Sequence, residues 1–254
     1  MRYWSFDSGA RLWRIAFEGS FLIAEVRDPE RKTAHLVALE AETGQLRWRW
    51  QNPEEPWWLG LEAVGENLVL VHGYADPRLP EHRGLIALEL ETGRERWRSA
   101  AHSLLFWHPE QGLCAYRRQG LELLYELLDP ASGRLRRALG SDRRLVEALR
   151  LEAKPPVSHQ DVCFPEPVLQ APFLLEADPG HLEALSWGRW WIGVAFRADR
   201  GTWLEVWDGP HGRRLWSDQI SHEVRAPESD ACLLRRGRLY YAQNRRVLFC
   251  LVLE

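Results

Sequence analysis

Short apolar runs recur along the chain, and most begin within three residues of a glycine. They are rich in valine, isoleucine, tryptophan and tyrosine, which are residues that favour β-strands. Runs this short, with turn residues on their flanks, predict buried strands rather than helices. The clearest of them lie at 21–26, 67–71, 113–116, 190–196 and 239–243. Only residues 143–153 carry apolar positions on one helical face and predict a helix.

A hairpin pattern repeats in step with these runs, with a strand, a glycine-containing turn and a returning strand. Glycine supplies the positive φ that such a turn needs, and tryptophan usually follows four residues later. The tryptophan is predicted to pack in the core at a fixed point of the returning strand. The pairs are Gly9 and Trp13, Gly44 and Trp48, Gly93 and Trp97, and Gly212 and Trp216, while Gly133 is followed by Arg137.

The spacing of these turns predicts a β-propeller. Averaged around the chain, the glycines stand about 51 residues apart, which is the length of one four-stranded blade. We therefore predict an all-β fold in one domain, residues 1–254, with five antiparallel blades and a long loop insertion at about 140–181. The N-terminal RYWSF would supply the outer strand of the last blade and close the ring. Six blades are the alternative, but the prolines within 155–173 favour a loop there.

Composition excludes several classes of protein. Hydrophobic residues make up 45% and charged residues 27%, which is typical of a globular chain and unlike a disordered or membrane-spanning one. The formal net charge of −3 gives no basic footprint for nucleic acid, so neither nucleic acid nor membrane is an expected partner. Four dispersed cysteines without a CxxC motif, and no apolar leader at Met1, predict a reduced, cytoplasmic protein.

The repeat carries a family resemblance. The pattern D/E-x-x-T-G-x-x-x-W is similar to the PQQ-like repeat of quinoprotein alcohol dehydrogenase-like propellers, in which tryptophans dock between blades. The segment from Glu55 to Trp97 more closely resembles an uncharacterised bacterial family catalogued as a domain of unknown function, and we expect that resemblance to extend over the chain. It implies a propeller with no assigned activity. Adjacent cysteines, which mark the quinone-dependent enzymes, are missing, so neither PQQ nor another cofactor is expected.

The predicted blade order places most long connections on one face of the propeller, and candidate ligand-binding residues gather in those loops. Histidines and carboxylates brought together from several loops can bind a metal or transfer protons, but no metal-spacing motif is present, so no metal site is predicted and catalytic residues stay unassigned. Trp57 and Trp58 are candidates for stacking on a sugar or base, or for a buried wedge. Glu81 and His82 are the leading ligand-facing pair. The full candidate set is Trp57, Trp58, His72, Asp76, Glu81, His82, His159, Asp161, His222 and Glu223.

Two functions compete. The favoured one is a non-catalytic binding or protein-interaction module, whose long-loop face holds a protein partner or a small polar ligand. The alternative is a hydrolase or lyase that acts on a carbohydrate or another polar metabolite through histidines and carboxylates at the channel mouth. An enzyme would bring several of these groups within hydrogen-bonding distance in one concave site. A binding module would leave them dispersed, or engaged in hydrogen bonds that fix the loops.

Overall fold

The fold is described from a computed structural model over residues 3–74, 76, 78, 81–153, 161–168, 182–197, 201–222 and 231–253. Two compact units make up the chain. The larger unit is Trp13–Gln160, and the smaller unit combines Met1–Leu12 with Asp161–Glu254. The described strands all pair in antiparallel fashion with their neighbours, as predicted for an all-β chain.

The first strand of the chain, β1 (Tyr3–Asp7), belongs to the last sheet and is taken up there. Three four-stranded sheets follow, and in each the spatial order of the strands is their order in the chain. Sheet 1 contains β2 (Arg11–Glu18), β3 (Phe21–Asp28), β4 (Thr33–Glu40) and β5 (Leu46–Trp50). Sheet 2 contains β6 (Leu59–Gly65), β7 (Leu68–Tyr74), β8 (His82–Glu89) and β9 (Glu95–Ser99). Sheet 3 contains β10 (His102–His108), β11 (Gly112–Gln119), β12 (Glu122–Leu128) and β13 (Leu135–Gly140).

A ten-residue helix, α1 (Arg143–Glu152), follows sheet 3, close to its predicted span. The Asp142 side chain caps the helix by accepting a hydrogen bond from the backbone N–H of Leu145. Val146 and Leu149 are buried and pack in a cluster with residues of sheet 3. Within the described residues, no helix has the length and hydropathy needed to cross a membrane.

The smaller unit holds two five-stranded sheets. Sheet 4 runs in the order β15 (Glu166–Pro167), β16 (Leu182–Trp187), β17 (Trp190–Arg197), β18 (Gly201–Asp208) and β19 (Arg213–Ser221). Sheet 5 runs in the order β1, β22 (Val247–Val252), β21 (Arg238–Gln243), β20 (Cys232–Arg235) and β14 (Val162–Cys163). A short 3₁₀ helix, Gly209–His211, joins β18 to β19.

Two of these strands differ from the prediction of a continuous loop within 155–173. Val162–Cys163 and Glu166–Pro167 each add a two-residue strand to the edge of a sheet. Proline is tolerated in an edge strand because its missing N–H removes no bond from the interior of the ladder. The N-terminal strand agrees with its prediction, since Tyr3 lies opposite Leu251 and Asp7 lies opposite Val247 in sheet 5.

The second strands of sheets 1 and 2 are buried on both faces. In β3 the run Leu22–Val26 is buried without interruption, and β7 repeats the pattern over Leu68–His72. One apolar cluster joins sheets 1 and 2 through residues such as Leu36 and Leu61, and another joins sheets 2 and 3. Strands covered on both sides have no polar face, which explains why the chain shows apolar runs rather than alternation.

Two of the repeated tryptophans bridge neighbouring sheets of the larger unit. Trp48 of β5 lies against Gly93, in the turn between β8 and β9, and its Nε1 donates to the Leu90 carbonyl at 2.7 Å. Trp97 of β9 lies against Gly133 and donates to the Pro130 carbonyl at 2.8 Å. The glycine therefore does two things, since it forms the turn and leaves room for the indole of the preceding sheet.

The predictions for the N-terminal copy of the repeat, a hairpin turn at Gly9 and a buried Trp13, are wrong. Trp13 lies on β2, the first strand of sheet 1, and is 56% exposed rather than packed in the core. Gly9 lies in the connection from β1 to β2, between two different sheets, and not in a hairpin turn. The sequence around Gly9 and Trp13 matches the repeat, but β1 and β2 do not pair with each other, because they belong to different sheets. Trp216 does lie on a returning strand, β19, and its ring centroid is 5.7 Å from that of Tyr3.

Substitution of Gly93 by alanine is expected to lower the free energy of unfolding by about 2–4 kcal/mol, since the new methyl adds a clash to the strain of a positive φ. Its Cβ would lie 2.7 Å from Trp48 Cδ2, at a φ of +68°. Gly120→Ala is the matched control, because φ there is +61° and a Cβ would meet no atom within 4 Å. We expect it to lose only about 1 kcal/mol. Equal losses in urea denaturation would show that the indole contact contributes nothing.

Candidate functional site

Glu62, His72 and His82 come together at one end of sheet 2. They lie on three neighbouring strands, β6, β7 and β8, near the point where β7 ends and β8 begins. Glu62 occupies a register shift between Leu61 and Ala63, where the ladder with β7 is interrupted. One ligand-type atom from each of the three side chains lies within 4.8 Å of the other two.

The two histidines share one carboxylate oxygen. Nδ1 of His72 lies 2.6 Å, and Nδ1 of His82 lies 2.9 Å, from Oε2 of Glu62. The imidazole rings are stacked, with centroids 3.5 Å apart and planes within 7°. His82 makes a hydrogen bond to Glu62, whereas the His72 contact is close but poorly aligned, so both ring nitrogens of buried His72 lack a hydrogen-bond partner. A buried ring with unsatisfied nitrogens is an uncommon arrangement that calls for a ligand or a role.

The electrostatics favour a carboxylate beside a neutral imidazole. Burial acts to raise the pKa of Glu62, but the close contacts with His72 and His82 outweigh burial and lower that pKa to about 2. Burial lowers the pKa of His72 below its ordinary value, and the nearby Glu62 only partly opposes this. Near neutral pH Glu62 is therefore ionised and His72 is neutral, which is the protonation that metal ligands require.

Aromatic side chains form one wall of the cluster. The Tyr74 ring stands edge-on to His72 and His82, at centroid distances of 5.1 Å and 5.4 Å. Trp58 continues the row, 6.0 Å from Tyr74, and is 36% exposed. On another side Gly60 makes room for the ring of His72, because a Cβ there would lie only 2.7 Å from its Cε1 atom. The wall and the glycine leave His72 little freedom to move.

A charged network in the same unit fixes the start of β6. Glu25 of β3 is buried, and its Oε2 accepts a hydrogen bond from the backbone N–H of Leu61 at 2.8 Å. The Nε atom of Arg27 lies 2.5 Å from the other oxygen of that carboxylate, and its guanidinium also donates to the Leu59 carbonyl. The guanidinium carbon lies 5.3 Å from the ring centroid of Trp57 and 5.6 Å from that of Trp13. The Glu25 carboxylate therefore joins β3 to β6 at Leu61, the residue that precedes Glu62 in the chain.

Of the residues predicted to bind a ligand, the structure brings His72 and His82 together and places Trp58 near them. Each of three other candidates forms an ion pair with an arginine, and these pairs are at least partly exposed to solvent. These pairs are Asp76 with Arg78 at 2.9 Å, Glu81 with Arg118 at 2.8 Å, and Asp161 with Arg236 at 2.7 Å. Such exposed pairs fix loops and contribute little to stability.

The remaining candidates lie elsewhere. Trp57 packs against the apolar cluster of sheets 1 and 2, which agrees with a wedge rather than a stacking platform. His222 belongs to the smaller unit, where its backbone N–H donates to Asn244 Oδ1 at 3.3 Å. It lines a shallow cleft together with Gly9 and Arg246. His159 and Glu223 lie outside the described residues.

Glu62 was missed by the sequence analysis. It stands in the run LGLEAVG, which reads as one more buried strand. A charged residue inside such a run is itself a signal, because an isolated carboxylate is rarely buried without a partner. Pairing that carboxylate with His72 and His82 requires the register of sheet 2, which the sequence alone does not display.

One known protein family matches part of the larger unit. Residues 16–97 match a family described as a domain of unknown function, DUF4905. That match includes the segment from Glu55 to Trp97 and confirms the resemblance predicted for it, over a smaller part of the chain than expected. No curated protein matches the chain.

Several solved β-propellers are similar to the chain. A europium-containing methanol dehydrogenase shares 13% identity at a TM-score of 0.36, over 95% of this chain and 51% of the dehydrogenase. BamB from Moraxella catarrhalis shares 13% identity at a TM-score of 0.32, over 93% of this chain and 82% of BamB. The Cps50 (Swd1) β-propeller domain of Myceliophteria thermophila shares 13% identity at a TM-score of 0.35, over 94% of this chain and 68% of that domain. The chain spans about half the length of the methanol dehydrogenase.

Proposed function

We propose that the cluster of Glu62, His72 and His82 is a non-catalytic binding site that holds a divalent transition-metal ion. The observation that carries this proposal is the convergence of two imidazoles and one carboxylate, from three neighbouring strands, within 4.8 Å. Nitrogen and oxygen donors of this kind suit Zn²⁺ and ions of similar size. On binding, the metal would replace the proton that His82 now shares with Glu62.

The surroundings suit a metal that keeps one position open for a small polar ligand. Three protein ligands leave a fourth position on a tetrahedral ion. The His82 side chain is 37% exposed, whereas that of His72 is 6% exposed, so the cluster opens to solvent on the side of His82. Tyr74 and Trp58 flank that opening. The metal ion and these two rings would together form the ligand-binding surface.

We further propose that the five sheets are the blades of one closed propeller over residues 1–254. The five successive sheets and the addition of β1 to sheet 5 support this arrangement. The contacts of Trp48 and Trp97 with the turns of following sheets support tryptophan docking between blades. Four free cysteines, three of them buried, support a reducing compartment such as the cytoplasm. The separate ion pairs of Asp76, Glu81 and Asp161 support binding over acid–base catalysis by those loops.

Titration of the metal-stripped protein with Zn²⁺ tests the site. We expect one ion per chain in isothermal titration calorimetry, and stabilisation of about 2.7 kcal/mol at a free Zn²⁺ concentration of 100 times Kd. His82→Ala is expected to weaken binding at least about 100-fold, because it removes one of three ligands. His222→Ala, which removes a histidine outside the cluster, is the control and should bind normally. Undetectable Zn²⁺ binding, or equal affinity in the two variants, would refute the site.

A further inference from the structure

A second polar cluster connects sheets 2 and 3. Ser99 is the last residue of β9, His102 is the first residue of β10, and Glu126 lies within β12. Oγ of Ser99 lies 2.7 Å from Nδ1 of His102. Nε2 of His102 lies 2.7 Å from Oε2 of Glu126. The imidazole therefore connects a hydroxyl on one side with a carboxylate on the other.

The direction of these hydrogen bonds follows from the carboxylate. An ionised carboxylate can only accept, so Nε2 of His102 must carry the proton that it shares with Glu126. In the neutral ring Nδ1 then has a lone pair and accepts the hydroxyl proton of Ser99. This is the tautomer in which a histidine can take a proton from a serine.

Arg117 keeps Glu126 ionised and in place. Its Nε atom donates to Oε1 of Glu126 at 2.9 Å, which leaves Oε2 for His102. Burial acts to raise the pKa of Glu126, but hydrogen bonds from His102 and Arg117 outweigh burial and hold that pKa below its ordinary value. The carboxylate is therefore available to orient the imidazole at any pH above the acid range.

All three side chains of the row are at least partly buried. The side chains of Glu126 and His102 are 9% and 15% exposed, and Ser99 is partly buried at the end of its strand.

We propose that Ser99, His102 and Glu126 form a nucleophilic relay that hydrolyses small carboxylic esters. This activity is separate from the metal site and requires no metal. Ser99 Oγ bonds to the carbonyl carbon of the ester while its proton passes to His102 Nδ1. The bond from that carbon to the alcohol oxygen then breaks, and the departing oxygen takes the proton from His102.

Water completes the cycle by the same route. It loses a proton to His102 as its oxygen bonds to the acyl carbon, and the bond to Ser99 Oγ breaks as Ser99 regains a proton. The sum is ester and water giving acid and alcohol. Glu126 touches no reacting atom, so it is a positioning residue that holds the tautomer and stabilises the imidazolium.

Labelling with a fluorophosphonate probe tests the nucleophile. In EDTA, the folded protein is expected to gain one label, located on Ser99 by mass spectrometry, and to hydrolyse p-nitrophenyl acetate. Ser99→Ala should reduce both rates at least about 100-fold. It preserves the pair of His102 with Glu126, so folding is expected to survive. Ser132→Ala, which removes an exposed hydroxyl that donates a hydrogen bond to Asp129, is the control and should label normally.

Glu126→Gln tests the positioning residue. We expect slower labelling and a pH–rate midpoint at lower pH, because a neutral amide no longer stabilises the imidazolium. A folded protein that labels no faster than its heat-denatured form would overturn the proposal. So would labelling that persists in Ser99→Ala, or a Glu126→Gln profile that keeps its midpoint. Because EDTA is present throughout, these outcomes are independent of whether Zn²⁺ binds at His82.

Discussion

Trp48→Ala is expected to lower the free energy of unfolding by about 3–5 kcal/mol, the usual loss for a large aromatic residue removed from a core. The ring is 8% exposed and packs between sheets 1 and 2. Its loss would also leave the buried Leu90 carbonyl without the indole donor that now lies 2.7 Å away. Urea denaturation followed by circular dichroism measures the change.

Trp13→Ala is the matched control for Trp48→Ala. Trp13 has the same spacing from a glycine, yet it is 56% exposed, and its described partner is the Arg27 guanidinium at 5.6 Å. An exposed cation–π contact contributes about 0.5–1 kcal/mol, so the loss should be several-fold smaller. Similar losses in the two variants would contradict the assignment of Trp13 to the first strand of sheet 1.

The second large effect is expected at Glu25. Glu25→Ala removes the partner of Arg27, which is only 11% exposed, and the acceptor for the buried backbone N–H of Leu61. Breaking a buried ion pair from one side typically destabilises a protein by about 3–5 kcal/mol. We expect a loss in that range, measured by urea denaturation, together with weaker Zn²⁺ binding because β6 also carries Glu62.

Glu54→Ala provides the comparison for Glu25→Ala. Glu54 also pairs with an arginine, at 2.5 Å from Arg98, but its side chain is 73% exposed. Exposed pairs contribute about 0–1 kcal/mol, so stability should hardly change. If Glu54→Ala were as damaging as Glu25→Ala, burial would not be the reason for the loss.

The strands and hairpins were predictable because their causes are local. Glycine at a turn and an apolar run beside it mark a hairpin, and the span of β3 agrees closely with the predicted run at 21–26. Trp13 shows the limit of that reasoning. The sequence around Trp13 matches the sequence around Trp48. The two positions differ only in strand pairing, because β4 and β5 pair in one sheet whereas β1 and β2 belong to different sheets.

The candidate site was only half predictable. His72 and His82 stand at strand ends, where polar residues invite a functional reading. Glu62 joins them through a register shift in β6, and such an irregularity leaves no mark in the composition of the strand. The row from Ser99 to Glu126 was harder still, because it depends on the contact of one sheet with the next and follows no motif.

The pairing of β1 with β22 links residues that are far apart in the chain. Arg246 pairs with Asp7 across a sequence separation of 239 residues, and the backbone of Leu12 bonds to that of Arg245. On the ribosome, β1 therefore has no partner strand until β22, residues 247–252, has been made. Within sheets 1 to 3 the strand pairings join residues that are closer in the chain, so these sheets can form earlier. Completion of sheet 5 is then a late event, slowed by the entropy of closing so long a loop.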